Sequence, residues 1–126
     1  AYRDLGQVET AIDHYQQALA ISREIGDRRG EGSDLGNLGI AYRDLGQVEK
    51  AIDHYQQALA ISREIGDRRG EGSDLGNLGL AYSDLGQVEK ARPMLAQSLA
   101  IFEEIQSPSA ELVRKWLAEL NADGAE

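Results

Sequence analysis

Residues 1–40 and 41–80 align without a gap and differ at two positions only, Thr10 against Lys50 and Ile40 against Leu80. A third copy opens as "AYSDLGQVEKA" at residue 81 and then diverges while keeping its apolar spacing. Self-similarity at this period means stacked supersecondary units, each burying its apolar face against its neighbours. The chain opens on "AYRDLGQ", a string that recurs inside it, which predicts a piece cut from a longer array. Recent duplication and consensus construction would both leave two copies this alike.

Inside one unit the periodicity is helical. Val48, Ala51, Ile52, Tyr55, Ala58, Leu59, Ser62 and Ile65 recur at three-and-four spacing, with Glu49, Asp53, Gln56, Gln57, Arg63 and Glu64 opposite. Gly46 suits the left-handed position that ends a helix, and Asp67 is placed to cap a new start. The other helix of the unit must run from about Asp27 to Leu45, through the glycine-rich "GDRRGEGSDLGNLG" of residues 26–39. Leu35, Leu38, Tyr42 and Leu45 form its apolar stripe, and Ser33, Gly36, Asn37, Ile40, Arg43 and Asp44 lie opposite. Gly32, Gly36 and Gly39 fall along one edge of that face, where they either admit a neighbouring backbone or leave a roomy surface.

The bulk numbers exclude several function classes. The 126 residues suffice for one domain with a core of its own. No cysteine is present, hence no disulfide framework, thiolate nucleophile or cysteine zinc site. A net charge of -9 argues against nucleic acid or an anionic membrane as partner and favours a basic or neutral one. No apolar run is long enough to span a bilayer and no signal-peptide pattern opens the chain, so the expected location is cytoplasmic.

The string "NLGIAYRDLGQVEKAIDHYQQALAI", residues 37–61, closely resembles the tetratricopeptide repeat, through Leu38, Gly39 and Tyr42 in one helix, Ala51, Tyr55 and Ala58 in the next, and "LGQ" as the turn. Two departures stand out. The family's proline after the second helix is missing, with Arg63 near its place, and the period is 40 residues against roughly 34 in the common form. This longer form is similar to repeats of Pins-type spindle-orientation adaptors, kinesin light chains and bacterial signalling regulators. The resemblance implies an all-α, right-handed solenoid of antiparallel helix pairs, with six full helices and an N-terminal helix stub. It also implies closest helix contact at Gly39 and Ala51, a concave groove lined by the first helix of each pair, and asparagines at Asn37 and Asn77 that hydrogen-bond a peptide backbone. The helical wheel separately puts Asn37 away from the leucine stripe. The expected groove floor is then Ser33, Gly36, Asn37, Ile40, Arg43 and Asp44, followed by Ser73, Gly76, Asn77, Leu80, Ser83 and Asp84, with Arg3 and Asp4 at its edge.

Other residues invite sharper chemistry than they support. His14 and His54 are one repeat position seen twice, with no second ligand at helical spacing, so packing between neighbouring repeats near Ile61 and Ile65 outweighs metal binding. Glu9 with Asp13, and Glu49 with Asp53, place like charges on a solvated face. The glycine pattern from Gly30 follows an amphipathic helix and lacks a lysine-serine pair, which sets it apart from a phosphate loop. No catalytic constellation, metal site or cofactor site is expected.

The expected organisation is a stub over 1–5, units over 6–45 and 46–85, a divergent third unit with a capping helix over 86–120, and a frayed tail over 121–126. Pro93 should kink or delay the helix that contains it. Ser109 is the expected cap of a last helix ending near Leu120, greasy through Leu112, Val113, Trp116, Leu117 and Leu120. With so little chain before it, the first long helix should expose apolar surface, which predicts a homo-oligomer through that edge. The function implied is a non-catalytic module that binds a protein or peptide, part of a larger scaffold or signalling protein. Self-assembly as a structural repeat and a sensor array of a multidomain enzyme are the alternatives.

Overall fold

The computed structural model of the protein describes residues 5–124, which form six α-helices and no strand. They are α1 Leu5–Ile25, α2 Arg28–Asp44, α3 Val48–Ile65, α4 Arg68–Asp84, α5 Val88–Glu104 and α6 Ser109–Gly124. The glycine-rich stretch is helical, as its leucine stripe requires. Its start is held by Asp27, whose carboxylate accepts from the Gly30 amide at 2.9 Å, and Asp67 repeats this with Gly70 at 3.0 Å. The helices α1, α2, α3 and α4 are each followed by a glycine at positive φ, Gly26, Gly46, Gly66 and Gly86, so the chain reverses within two residues.

Four local expectations need correction. No break separates the expected stub over 1–5 from the unit that begins at 6: α1 runs from Leu5 through Gly6 and Gln7, whereas the equivalent Gly46 and Gln47 are a turn and a cap. The stub's residues 1–4, with the groove-edge residues Arg3 and Asp4, lie outside the described part of the chain. Pro93 does not delay α5, which starts at Val88 just as α3 starts at Val48; it stands two residues past Ala91, whose amide already bonds the Gln87 carbonyl, so it costs one interior bond, and its ring lies on the exposed side of the helix. The last helix is capped by Ser107, whose Oγ accepts from the Ser109 amide at 3.2 Å, with Pro108 at the first position where its missing N–H is harmless. That helix runs to Gly124, past the expected end at Leu120.

Packing is sequential. The closest pairs are α2 with α3 and α4 with α5, and the cause is local: a Cβ on Gly39 would run into the Tyr55 ring, and one on Gly79 into Leu95. Leu35, Leu38, Tyr55, Leu75 and Leu78 form one continuous core across α2, α3 and α4. Ala91, Leu95, Phe102, Val113 and Leu120 form a second core across α5 and α6, with Tyr82 packed against both. Salt bridges repeat with the sequence: Arg28 reaches Glu64 at 2.6 Å and Arg68 reaches Glu104, each joining the two helices of a close pair. At the other end α1 leaves Leu5, Ile21 and Ile25 exposed at 59%, 58% and 70%, although Ile61, the repeat equivalent of Ile21, is only 5% exposed beneath Gly32 of α2.

Candidate functional site

Because α2, α4 and α6 are the alternate helices of the stack, their outward faces share one side of the molecule. Three adjoining hollows lie there. The first, of about 200 Å³, sits between α2 and α4 above the end of α3 and is lined by Ser33, Gly36, Asn37, Ser73, Asp74 and Asn77 among others. The second, about 230 Å³, lies between α1 and α2 beside Tyr15, Asn37 and Ile40. The third, about 270 Å³, is bounded by Ile40, Gly76 and Asn77 and by Leu112, Val113 and Trp116 of α6. Ile40 borders all three and is 43% exposed, an apolar side chain at the centre of the face.

The predicted groove residues divide into two groups. Ser33, Gly36, Asn37, Ile40, Ser73, Gly76 and Asn77 line the hollows. Asn37 and Asn77 make no side-chain hydrogen bond within the described residues, so both carboxamides face solvent with their donors and acceptors open. Arg43, Asp44, Leu80, Ser83 and Asp84 line none of them. Arg43 instead crosses from α2 to α4 and binds Asp84 through both ends of its guanidinium, at 2.5 and 3.0 Å. The Asp84 hydrogen bond holds its pKa above the usual arginine value. This pair closes the end of the face where the turns lie. The third repeat has no counterpart for the arginine, because Ser83 stands there.

Sequence reading left two parts of the site unseen. Leu112 and Trp116 belong to the apolar face expected of the capping helix, yet Leu112 is exposed and Trp116 half-buried, and both form the apolar wall of the third hollow. Their spacing of four residues on one helix was the available signal. The second part is Asp74, which is 7% exposed; its Oδ2 accepts from Ser62 Oγ of α3 at 2.9 Å, and it stands in the floor of the first hollow. Burial pushes its carboxyl up to about 7, with the negative Asp67 and Glu71 adding to the effect and the Ser62 hydroxyl opposing it. Asp34 holds the same repeat position and accepts from Ser22 at 3.0 Å, but is less buried. Asp34 and Asp74 each lie three residues before a groove asparagine, the spacing that would have drawn attention to them.

His54 packs across the boundary between the units over 6–45 and 46–85: it stacks at a tilt on Tyr42, ring centroids 5.0 Å apart, and its Nδ1 lies 2.8 Å from the Lys50 carbonyl. His14 is exposed. Among the described residues no three acidic or histidine side chains converge as metal ligands, and no helix is long and apolar enough to cross a membrane.

A family profile described as tetratricopeptide repeat matches residues 1–64 and 35–104. No curated protein sequence matches. Among solved structures, the apo form of RapI superposes with a TM-score of 0.90 at 22% identity, over 94% of this chain and 44% of that one. A Podosopora anserina kinesin light chain with nearly identical TPR-like repeats gives 0.78 at 26% identity, over 91% of this chain and 58% of that one. BtubC from P. vanneervenii gives 0.68 at 20% identity, over 95% of this chain and 59% of that one. The chain therefore spans about half the length of these solved chains, and with them it shares an all-helical solenoid architecture.

Proposed function

Since this chain belongs to the tetratricopeptide-repeat family, we propose that it is a non-catalytic, cytoplasmic interaction module whose concave face holds an extended segment or helix of a partner protein. The observation that carries this reading is the run of adjoining hollows across α1, α2, α4 and α6, with two open carboxamides and a half-exposed isoleucine at its centre. An interior lined with apolar surface and a few well-placed polar groups is what a peptide site requires. Asn37 and Asn77, spaced by one repeat, can each satisfy a peptide N–H and C=O, which supplies register without dictating sequence. Ile40, Leu112 and Trp116 offer the apolar anchor in which most binding energy is concentrated.

The test is selection of peptides from a random display library on the immobilised chain, followed by affinity measurement with Asn37→Ala/Asn77→Ala and with Trp116→Ala. Selected peptides should lose about tenfold or more in affinity, the equivalent of ~1.4 kcal/mol, while the melting temperature of the asparagine variant stays unchanged. Peptides that bind both variants as well as the original chain would contradict the groove as the binding site.

One observation favours self-association as a second reading. Ile21 and Ile25, one turn apart, leave an exposed apolar patch on α1 at the position where the equivalent Ile61 of α3 is covered by α2.

A further inference from the structure

We infer that the polar end of the groove, between α2 and α4, is a subsite for one basic side chain of the partner segment, received by the Asp74 carboxylate. This rests on the reading of the concave face as the partner groove and adds the chemistry of what enters it.

Two carboxylates among the described residues are buried, Glu31 and Asp74. Glu31 has its counter-charges: Arg23 donates to it at 3.1 Å and Arg28 at 2.8 Å. Burial alone would raise its pKa, and the two arginines outweigh burial and hold it below the ordinary value. Asp74 has no such partner. Its Oδ2 takes one hydroxyl hydrogen bond from Ser62, and its Oδ1 takes none. Because no fully buried side-chain oxygen among the described residues lacks a hydrogen bond, Oδ1 is not sealed in the core; it opens on the hollow that Asp74 lines. A buried carboxylate without a cation is the costliest kind of polar group to leave unmatched, and a partner's ammonium or guanidinium supplies the missing charge.

The approach to Oδ1 is open. The residue facing it from α2 is Gly36, and a Cβ there would stand 3.9 Å from Oδ1, so any larger side chain would fill the route a ligand must take. The one cation that lines the hollow is engaged, Arg29 being bound to Asp67 at 3.2 Å, and Arg43 beyond it is bound to Asp84. The hollow, about 200 Å³, has the size for one long side chain, and Asn37 and Asn77 flank it to hold the backbone on either side. The net charge of -9 favours approach of a basic segment. Burial of Asp74 and the pKa it acquires are consistent with a carboxylate poised to ionise when a cation arrives.

The experiment takes the display-selected peptides whose binding depends on Asn77 and measures them against the original chain, Asp74→Asn, Asp34→Asn and Gly36→Leu. Asp74→Asn keeps the shape and the Ser62 hydrogen bond while removing the charge; Gly36→Leu blocks the approach without touching the carboxylate, so either variant can carry the test if the other folds poorly. The selected peptides should share a lysine or arginine at a fixed position. Replacing it by norleucine or citrulline should weaken binding about tenfold or more, the same loss should follow Asp74→Asn, and the two changes together should cost no more than either alone. Asp34→Asn should change affinity less than about twofold, since Asp34 lines none of the hollows. Peptides that need Asn77 but carry no basic residue, or bind Asp74→Asn undiminished, would overturn this inference and leave the groove reading standing. Peptides indifferent to both asparagines would overturn the groove reading, and this inference with it.

Discussion

Asp74 is the residue at which burial and charge conflict most openly. Its carboxyl holds a proton up to about pH 7 in the folded chain, whereas an unfolded aspartate releases it near ~3.9. Between those values the native state binds more protons than the unfolded one, so the stabilising contribution is fully present at low pH and is lost as pH rises through the window. Asp74→Asn should therefore raise stability at pH 8 by on the order of 2 to 4 kcal/mol and change little near pH 4; urea denaturation at both pH values checks this, and an equal effect at the two would contradict it. Glu31 runs the opposite way, its stabilisation being lost on acidification. Gln106 offers a second residue-scale test. It occupies the left-handed position at φ 55 that glycine fills at the equivalent Gly66, and Gln106→Gly should add roughly 0.5 to 1 kcal/mol to stability, read as a rise in melting temperature. The caps at Asp27 and Asp67 were legible because their signal is local, an acid three residues before the amide it serves. The pairing of Ser62 with Asp74 was not, because it joins two helices and follows from the stacking angle.

At the scale of the helix, α2 holds two glycines whose roles are opposite. Gly39 lies against the Tyr55 ring, where a methyl group has no room, while Gly36 faces the groove with nothing nearer than 3.9 Å. Gly39→Ala should destabilise by ~2 kcal/mol, the overpacking of a close helix contact outweighing the gain in helix propensity. Gly36→Ala should stabilise by up to ~1 kcal/mol, since only the propensity term is left. Denaturation midpoints of the two variants, shifted in opposite directions from one parent, are the expected result; a shared sign would mean that the glycines do a common job. The helices themselves were readable from apolar spacing, and α2 begins and ends within a residue of its expected bounds despite its glycines. What spacing could not supply was the fate of local breakers that act only in context. Gly6 does not interrupt α1, Pro93 is accommodated on the exposed side of α5, and α6 continues past Leu120.

For the whole molecule, a stack of helices in sequential contact makes its faces composite, and composition across repeats is what a single-repeat reading cannot foresee. The asparagines and Ile40 came into view because each lies on one helix wheel. The Arg43–Asp84 bridge needs two helices, and the apolar wall of Leu112 and Trp116 needs a third. The exposed strip on α1 yields a prediction at this scale: if it mediates pairing, sedimentation velocity at rising concentration should show a dimer that Ile21→Glu/Ile25→Glu abolishes, and a strict monomer at all concentrations would exclude that interface. The central claim is the concave groove, and its most direct test is a nuclear magnetic resonance titration of the isotope-labelled chain with one display-selected peptide. The side-chain amides of Asn37 and Asn77 and the Trp116 indole N–H should shift together along one binding curve. Shifts confined to the outer faces of α3 and α5, with those three signals unmoved, would contradict it.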